Sequence, residues 1–154
     1  RPFNAFGPWQ SMKAIIPEII IKCLNGDDIL TTPGTQTREF NYVENLVDGF
    51  LTCMKSKKTF ANVYNIGSNQ EIKIKDIVKL IHKLTQSKSK LKIGSLNYRK
   101  TDITRMKSNY SKFNKVTNWK PQKNLIQGLN LTIDWYRKYL KNIENTNSDF
   151  GKLF

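Results

Sequence analysis

The stretch TQTREFNYVENLVDGF, residues 35–50, changes its hydrophobic period halfway, and this change restricts the fold more than any other feature of the chain. From Arg38 to Val43, charged or polar residues alternate with apolar ones, as in a half-buried strand. Beyond Asn45, apolar residues recur at the spacing of one helical face. These apolar residues are Leu46, Val47, Phe50, Leu51 and Met54. The pattern predicts a strand that leads directly into a helix, with Asn45 as its N-cap and Asp48 at the third helical position.

Arg38 stands at the start of this predicted strand, and its residue type fits two interpretations. It is either a solvated charge at the edge of a sheet or a bidentate clamp for a phosphate or carboxylate group. The guanidinium group presents a planar fork of donors that matches both anions. Arg38 is therefore the first candidate binding residue, although the local pattern leaves both interpretations open.

Predicted strands and helices alternate along the rest of the chain. The other predicted strands are Arg1–Asn4, Ile29–Thr31, Val63–Ile66 and Leu91–Ile93. The other predicted helices are one from Pro17 to an Asn25-Gly26 stop, one over residues 76–84, one over 111–116 capped by Ser111, and a last one capped by Asn124 with Gln127. This alternation predicts an α/β fold with one modest core. We assign residues 1–141 to one domain and predict that the polar residues 142–154 form a flexible tail.

The net charge of +14 is concentrated in one part of the chain. Residues 1–50 carry a charge of −2, whereas residues 51–154 carry +16. A pI near 9.9 is compatible with a nucleic-acid-binding module. The lysines are nevertheless scattered over polar helix positions among many asparagines, which favours a solvating role. We therefore expect no nucleic-acid partner.

Cysteine and histidine content limits the chemistry of the chain. Cys23 and Cys53 both fall inside apolar helical patterns, and His82 lies off the apolar stripe of its helix. We expect two buried free thiols, a solvated histidine and no metal site. No run of about 18 apolar residues and no signal peptide pattern is visible, so we expect a soluble cytoplasmic protein without a membrane partner. The chain starts with Arg1 rather than Met, and we expect it to be a piece of a longer protein.

Seven strings of the sequence, spread over about residues 1–140, point to a family. They are RPFNAFGP, IIPEIIIKCLNG, GTQTREFNYVENLVDGF, VYNIGSNQEIKIKDI, YRKTD, SKFNKVTNWKP and GLNLTIDWY. In order and spacing they resemble the C-terminal half of the extended short-chain dehydrogenases/reductases. More narrowly, they resemble the NAD-dependent epimerase/dehydratase group that modifies nucleotide sugars. The resemblance implies a small mixed α/β substrate-binding portion, with the cofactor-binding Rossmann half outside this chain.

The resemblance also implies a set of site residues. Pro2 matches a position near the nicotinamide of NAD or NADP, and Asn4 matches an asparagine that contacts the sugar diphosphate. The remaining implied substrate-binding residues are Ala14 and Ile15, which line the nucleotide pocket through their backbone, Thr31 near the base, Arg38 on the diphosphate, and Arg99 with Asp102 on the phosphate and ribose. Two arginine forks from different loops can neutralise and orient one diphosphate.

Departures from the family pattern accompany these matches. Thr31 and Thr32 stand where the family usually has an aromatic residue and a glycine, and Glu39 replaces a commoner aspartate. The chain contains no Gly-x-x-Gly-x-x-Gly loop, which would hold a dinucleotide pyrophosphate, and no Tyr-x-x-x-Lys pair, so no catalytic residue is assigned.

By resemblance, the full enzyme is an epimerase or 4,6-dehydratase that transfers a hydride from a sugar hydroxyl to NAD and forms a homodimer. In that case this portion binds the nucleotide diphosphate part of the nucleotide sugar. Two alternatives remain open for the chain, namely a basic nucleic-acid-binding module and a non-catalytic interaction domain.

Overall fold

The structure is a computed structural model that describes residues 1–98 and 103–146. The helices in these residues are α1 Ile15–Asn25, α2 Val43–Lys55, α3 Ile74–Thr85, α4 Ser111–Thr117 and α5 Leu125–Thr146, with a 3₁₀ turn at Lys57–Thr59. The strands are β1 Ala5–Phe6, β2 Ile29–Thr31, β3 Thr37–Arg38, β4 Asn41–Tyr42, β5 Ile72–Lys73, β6 Leu91–Ile93 and β7 Arg105–Met106. The predicted mixed α/β class is confirmed.

The strands form three small sheets in the part of the chain that the structure describes. Strand β1 pairs in parallel with β4, and β2 pairs in parallel with β6. Strand β3 lies between β5, to which it is antiparallel, and β7, to which it is parallel. Arg38 is therefore on a central strand, and the interpretation of Arg38 as a sheet-edge charge is wrong.

The main core lies between α1, α3 and α5. The predicted stripes of these helices supply it, because Ile19, Ile20 and Cys23 of α1, Ile77 and Ile81 of α3, and Leu129, Ile133 and Tyr136 of α5 are all buried. Burying one such isoleucine or leucine side chain contributes roughly 1.5–3 kcal/mol. A smaller cluster joins α2 to the region around α4 and consists of Leu46, Tyr64, Ile66, Phe113 and Trp119. These clusters hold the three sheets in place.

The continuous strand predicted from Arg38 to Val43 is interrupted. Strands β3 and β4 belong to different sheets, and the chain changes sheet at Glu39 and Phe40. Local alternation could not reveal the change, because the partner strands β1, β5 and β7 come from three separate parts of the chain.

Helix α2 begins at Val43, so the prediction that Asn45 caps it is wrong. The Asn45 side chain is buried and binds the loop before α5 instead. Its Oδ1 accepts from the backbone N–H groups of Gln122 and Lys123, both at 3.0 Å, and its Nδ2 donates to the Lys123 carbonyl at 2.7 Å. Asp48 accepts a hydrogen bond from the indole N–H of Trp119 at 2.8 Å.

The apolar stripe predicted on α2 is mostly exposed. Of its five members, Leu46 is buried, whereas the other four, Val47, Phe50, Leu51 and Met54, are each at least 45% exposed. These four residues follow one another at helical spacing, so α2 presents a continuous apolar face to solvent. We refer to Val47, Phe50, Leu51 and Met54 as the α2 apolar face.

Two predicted strands, Arg1–Asn4 and Val63–Ile66, are reduced to a single bridge between them. Instead of a strand over Arg1–Asn4, the first strand is β1, and Val63–Ile66 contributes only one parallel bridge, between Pro2 and Ile66. The bridge is held by hydrogen bonds from the Phe3 N–H to the Ile66 carbonyl at 3.1 Å and from the Ile66 N–H to the Arg1 carbonyl at 3.0 Å.

Helix ends follow the predicted signals in two cases and depart from them in one. Gly26 ends α1 with φ +79°, as the Asn25-Gly26 stop predicts. Asn124 and Gln127 form the predicted reciprocal capping pair, with both hydrogen bonds at 2.9 Å. Ser111 is not a cap, because Asn109 Oδ1 accepts a hydrogen bond from its backbone N–H. Helix α5 continues beyond Asn142 to Thr146.

The thiols and the histidine also differ in part from expectation. Both cysteines are free, but Cys23 is buried whereas Cys53 is partly exposed. His82 is half-buried, with Nε2 2.9 Å from the Ser89 carbonyl, so it has a structural contact rather than a solvated ring. Within residues 1–98 and 103–146, no group of His, Cys, Asp and Glu side chains could hold a metal ion. None of the described helices combines the length and hydropathy needed to cross a membrane.

Candidate functional site

One cleft brings together most of the site residues that the sequence predicts. It has a volume of about 600 Å³ and lies between the loop that follows Asn4, the start of α1, the end of β2, and β3. Its lining includes the predicted residues Asn4, Ala14, Ile15, Thr31 and Arg38. Clefts of this size are typical of small-molecule sites. We refer to it as the Arg38 cleft.

Of the three remaining predicted residues, one is described by the structure, and it is not in this lining. Pro2 is exposed and takes part in the bridge to Ile66. Arg99 and Asp102 lie outside the described residues.

Arg38 lines the cleft, and most of its side-chain donors have no partner among residues 1–98 and 103–146. Its Nη1 donates to the Thr37 carbonyl at 2.8 Å, and within the part of the chain that the structure describes it forms no ion pair. Its acidic neighbours are engaged elsewhere, because Glu44 pairs with Lys123 at 2.6 Å and Glu39 is enclosed by other donors. The guanidinium group can therefore take an anion from solution.

The start of α1 adds at most two donors, the N–H groups of Ile15 and Ile16, because the Ala14 N–H donates to the Ser11 carbonyl at 2.9 Å and Pro17 has no N–H. Ala14 is the N-cap residue and Ile15 the first helical residue, and Ala14 provides no side-chain cap. The backbone N–H groups of a first turn have no acceptor within their own helix, and the helix dipole makes this end partially positive. Such an end favours a phosphate or carbonyl oxygen.

Charge in the cleft is positive on balance. Lys13 and Arg38 line it, and neither pairs with a carboxylate among the described residues. Glu18 is the acidic residue in the lining, and it pairs with Lys22 one turn along α1 at 2.6 Å. The cleft therefore suits an anionic ligand.

Apolar side chains form the other walls. The apolar residues of the lining include Ile15, Ile19, Phe40, Ile74 and Leu96. Thr31 is buried, and its hydroxyl donates to the Thr32 carbonyl at 2.9 Å, so it offers no free donor to a ligand. The cleft thus combines a cationic part with an apolar part.

Asn4 is held in a strained backbone conformation beside β4. Its φ is +23°, in the region that residues other than glycine rarely adopt. Its carbonyl accepts from the Asn41 N–H at 3.0 Å, and its Nδ2 contacts the Met106 sulfur at 3.4 Å. The strain is maintained by the pairing of β1 with β4.

Sequence reasoning missed Gln10, Lys13 and Gln36, which also line the cleft. The signal for Gln36 was only its closeness to Arg38, because it lies at a bend before β3 and outside the predicted strand. Gln10 had no such signal. The position of Gln10 follows from the fold of the loop before α1. There its side-chain Nε2 donates to the Ala5 carbonyl at 2.8 Å, and its backbone carbonyl accepts from the Tyr136 hydroxyl at 3.0 Å. Burial raises the pKa of Tyr136 to about 12, so this hydroxyl stays neutral at physiological pH.

Glu39, next to Arg38, is the centre of a closed network. Its side chain is 0% exposed and accepts four hydrogen bonds. The donors are Ser68 N–H at 2.6 Å, Ser108 N–H at 2.6 Å, Ser108 Oγ at 2.8 Å and Asn41 Nδ2 at 3.0 Å. The network joins the link between β3 and β4 to two distant loops and thereby fixes the direction of the strand that carries Arg38.

Comparison with known proteins gives this geometry a context. The model of the NAD dependent epimerase/dehydratase family matches residues 1–67, which include Asn4, Ala14, Ile15, Thr31 and Arg38. A UDP-N-acetyl-alpha-D-glucosaminuronate decarboxylase of Bacillus cytotoxicus is 33% identical over 153 residues, which cover 90% of this chain and 45% of that protein.

Two solved structures show the same fold. A UDP-glucose 4-epimerase of Thermotoga maritima with UDP-glucose has a TM-score of 0.84 and 25% identity, over 91% of this chain and 45% of that one. A dTDP-glucose 4,6-dehydratase of Bacillus anthracis in complex with NAD has a TM-score of 0.81 and 25% identity, over 92% of this chain and 44% of that one.

The chain spans less than half the length of each of these relatives. The relatives are epimerases, decarboxylases and dehydratases of nucleotide sugars, and the similarity extends over nine-tenths of this chain. On these grounds the chain is similar to the NAD dependent epimerase/dehydratase family, whose model matches residues 1–67.

Proposed function

We propose that this chain binds the nucleotide diphosphate part of a nucleotide sugar, as the C-terminal portion of an NAD- or NADP-dependent nucleotide-sugar epimerase or 4,6-dehydratase. The observation that carries the proposal is the Arg38 cleft. It unites five residues assigned from family resemblance, although they are spread from Asn4 to Arg38 along the chain.

The charges of the cleft support a diphosphate as the anchoring group. Arg38 is half-buried without a carboxylate partner among the described residues, Lys13 adds a second positive charge, and the start of α1 adds backbone donors. A diphosphate offers several anionic oxygens to such donors, and each charge-assisted hydrogen bond is worth about 1.5–3 kcal/mol. Arg99 and Asp102 remain part of the proposal as the second arginine and the acid on the ribose side.

The apolar walls support a nucleoside beside the diphosphate. Ile15, Ile19, Phe40 and Ile74 offer a surface against which a base or a ribose ring can be buried. Thr31 and Thr32 stand near this surface in place of an aromatic residue and a glycine, so the aromatic ring that the described lining offers to a base is that of Phe40. Binding energy gained from the remote nucleotide orients the sugar for reaction elsewhere in an enzyme of this kind.

The residues of this chain do not fit a complete dinucleotide site. The sequence has neither the glycine-rich phosphate loop nor a Tyr-x-x-x-Lys pair. The proposal therefore assigns NAD or NADP mainly to another part of the full-length enzyme. Pro2 would contribute from the edge of this chain through its carbonyl, since proline has no backbone N–H.

The α2 apolar face supports the proposal that this chain packs against a further part of the enzyme. Its four large side chains, Val47, Phe50, Leu51 and Met54, are exposed at helical spacing, and contiguous exposed apolar patches of this kind mark interfaces. The proposed homodimer of the full-length enzyme is a separate matter, which this face does not decide.

Titration calorimetry tests the proposed function directly. Uridine, thymidine, cytidine and guanosine diphosphates are titrated into the 154-residue chain, with random double-stranded DNA as a comparison ligand. We expect at least one diphosphate to bind and DNA to bind weakly at physiological salt. Tight DNA binding with a steep salt dependence, together with no diphosphate binding, would instead identify a nucleic-acid-binding module.

A further inference from the structure

A further cavity lies beside the Arg38 cleft, between the loop that precedes α1 and helix α5. It has a volume of about 320 Å³, and its walls are loop residues 9–12 and Trp135, Tyr136 and Tyr139 of α5. Most of this lining is apolar, and Gln10 is common to it and to the lining of the Arg38 cleft. The volume is at the lower end of the range for small-molecule sites. We refer to this cavity as the aromatic pocket.

Trp9, in the loop, has a backbone conformation that its residue type does not favour. It follows Pro8 in a turn that is closed by a hydrogen bond from the Gln10 N–H to the Gly7 carbonyl at 3.4 Å, and its φ is +63°. Glycine or asparagine normally takes such a position after the proline of a turn. The indole ring is also 73% exposed, although burial would stabilise it. A strained residue that presents a large ring to solvent is typical of a ligand-binding position.

Three rings form a corner at this pocket. Trp135 and Tyr139, one turn apart on α5, are stacked with their ring centroids 4.8 Å apart and an angle of 12° between the ring planes. Trp9 meets both of them edge-on, at centroid distances of 5.0 and 5.9 Å and interplanar angles of 62° and 72°. The pocket thus offers two aromatic surfaces that are steeply inclined to each other. A flat molecule can stack on one surface while its edge contacts the other.

Contacts within the protein hold the loop against α5. The Tyr136 hydroxyl donates to the Gln10 carbonyl at 3.0 Å, and Gln10 Nε2 donates to the Ala5 carbonyl at 2.8 Å. Trp135 and Tyr139 also pack against the main core. Because these walls are already fixed, a ligand has little ordering entropy to overcome when it binds.

The charges near the aromatic pocket make a cation a poor ligand. None of the lining residues that the structure describes is acidic. Asp134, beside Trp135 in the sequence, pairs with Arg137 at 3.1 Å, and the whole chain carries a net charge of +14. The attraction of aromatic faces for a cation is therefore opposed by the field of the protein.

The polar groups of the lining make a sugar a poor ligand as well. The Nε2 and the backbone carbonyl of Gln10 and the hydroxyl of Tyr136 are all used within the protein. Ser11 is exposed, and its hydroxyl accepts one long hydrogen bond, from the Lys13 N–H at 3.4 Å, so it can still bond to a ligand. One such group suits a ligand with a single O–H or N–H, whereas a sugar would bury several hydroxyls against apolar walls.

We propose that the aromatic pocket binds a planar aromatic molecule of one or two rings that carries a single O–H or N–H group, such as a phenol or an indole. The ligand stacks on Trp9, its edge contacts Trp135 and Tyr139, and its polar hydrogen is donated to Ser11 Oγ. The described lining of the Arg38 cleft does not include Trp9, so this inference does not depend on the proposed function.

Calorimetric titration of the 154-residue chain with indole tests this inference. Glucose and tetramethylammonium are titrated for comparison, as a sugar and a cation. The variants are Trp9→Gly, which removes the ring and suits the positive φ, and Trp9→Phe, which keeps an aromatic face. Phe60→Ala is the matched control, since Phe60 is an aromatic residue that is 63% exposed and lies outside the described lining of the aromatic pocket.

We expect indole to bind with a Kd on the order of 1 mM or below, and glucose and tetramethylammonium to bind more weakly. Trp9→Gly should weaken indole binding about tenfold, through the loss of a stacked ring and its contact area, and Trp9→Phe should recover most of this loss. Phe60→Ala should leave the affinity for indole unchanged. The thermal midpoint of Trp9→Gly should change little, because glycine relieves the positive φ while an exposed ring is lost.

Indole affinity that is unchanged in Trp9→Gly, or that is no higher than the affinity for glucose, overturns the inference. Tighter binding of tetramethylammonium than of indole also overturns it and identifies an aromatic box for cations. Equal losses of indole binding in Trp9→Phe and Trp9→Gly, with a lower thermal midpoint for both, would assign Trp9 a packing role instead. Uridine diphosphate, titrated in parallel, should bind Trp9→Gly as it binds the unaltered chain, so failure with indole leaves the proposed function standing.

Discussion

Arg38 and Glu39 are neighbours in the sequence and carry opposite charges, yet the fold uses them in opposite ways. Arg38 lines the cleft. Among the described residues, its side chain forms one hydrogen bond, to the adjacent Thr37 carbonyl. Glu39 points inward, is 0% exposed and accepts four hydrogen bonds from Ser68, Ser108 and Asn41. Two consecutive residues thus carry an accessible charge with unused donors and an enclosed charge with four hydrogen bonds.

This contrast distinguishes binding residues from structural ones. A group whose hydrogen bonds are all made within the protein stabilises the fold and has little left for a ligand. A group that keeps free donors or acceptors in a cleft contributes little to the free protein and can contribute much to a complex. Asn45 belongs with Glu39 by this criterion, because both ends of its amide are bound to the loop at Gln122 and Lys123.

The largest expected effect on this contrast comes from Glu39→Gln. The amide has one acceptor oxygen instead of two, so its NH₂ group would face a backbone donor at Ser68 or Ser108. In its better orientation the amide oxygen takes the Oε1 position, which accepts three of the four bonds, and the NH₂ group meets the Ser108 N–H. Loss of that one hydrogen bond to a carboxylate, with the buried Ser108 N–H left unpaired, predicts a decrease of about 3 kcal/mol in the free energy of unfolding. Urea unfolding followed by circular dichroism measures it. A decrease below about 0.5 kcal/mol, within the range of ordinary surface substitutions, would contradict the structural assignment of Glu39.

Gly67→Ala tests the same hydrogen-bond network by adding a methyl group to the backbone beside it. A Cβ at this position would collide with Glu39 Oε1 and Ser108 Oγ, so the network has to move. We expect a loss of about 2 kcal/mol, as for overpacking of a closed site. Gly26→Ala is the matched control, since nothing lies within 4 Å of its added Cβ and only its φ of +79° is unfavourable. The unfolding midpoint of Gly67→Ala should be lower than that of Gly26→Ala. Equal midpoints would show that the network tolerates displacement.

Arg38→Ala probes the accessible side of the strand. Removing the fork should lower the affinity for a nucleoside diphosphate about ten- to a hundredfold, and Arg38→Lys should restore only part of it, because a point charge cannot form the planar bidentate contact. The thermal midpoint should change little, since the side chain forms no ion pair among the described residues. Calorimetric titration and a thermal melt of the same sample give both quantities. Unchanged affinity would remove Arg38 from the site.

The smallest effect concerns Glu71, a partly exposed carboxylate that contrasts with the enclosed Glu39. Hydrogen bonding from Arg105, followed by that from Thr37, lowers the pKa of Glu71 below its ordinary value of 4.5. Because the folded state lowers this pKa, the stabilisation is present above pH 4.5 and is lost as the pH falls through the lower, folded-state pKa.

Urea midpoints of the unaltered chain and of Glu71→Gln, measured at pH 7, 5, 4 and 3, test this prediction. The midpoint difference should be small at pH 7, because the pair with Arg105 is exposed, and should disappear towards acid. A difference that grows below pH 4.5 would reverse the sign of the argument.

The sequence by itself determined the features that depend on local order. The buried stripes of α1, α3 and α5 follow from helical periodicity, and the ends at Gly26 and Asn124 follow from capping chemistry within a few residues. The family motifs likewise identified Asn4, Ala14, Ile15, Thr31 and Arg38, which line one cleft in the structure. Each of these inferences needed only the spacing of nearby residues or the order of motifs.

Only the tertiary structure decided where the polar groups of the site are directed. The donors to Glu39 at Ser108 lie 69 positions away, and the loop held by Asn45 lies 77 and 78 positions away. Strand alternation predicts one strand, although β3 and β4 find partners in different sheets. Helical spacing predicts an apolar stripe on α2 but does not show that most of it is exposed. Whether a side chain is saturated depends on which distant groups the fold brings within hydrogen-bonding distance, and that information is not contained in local periodicity.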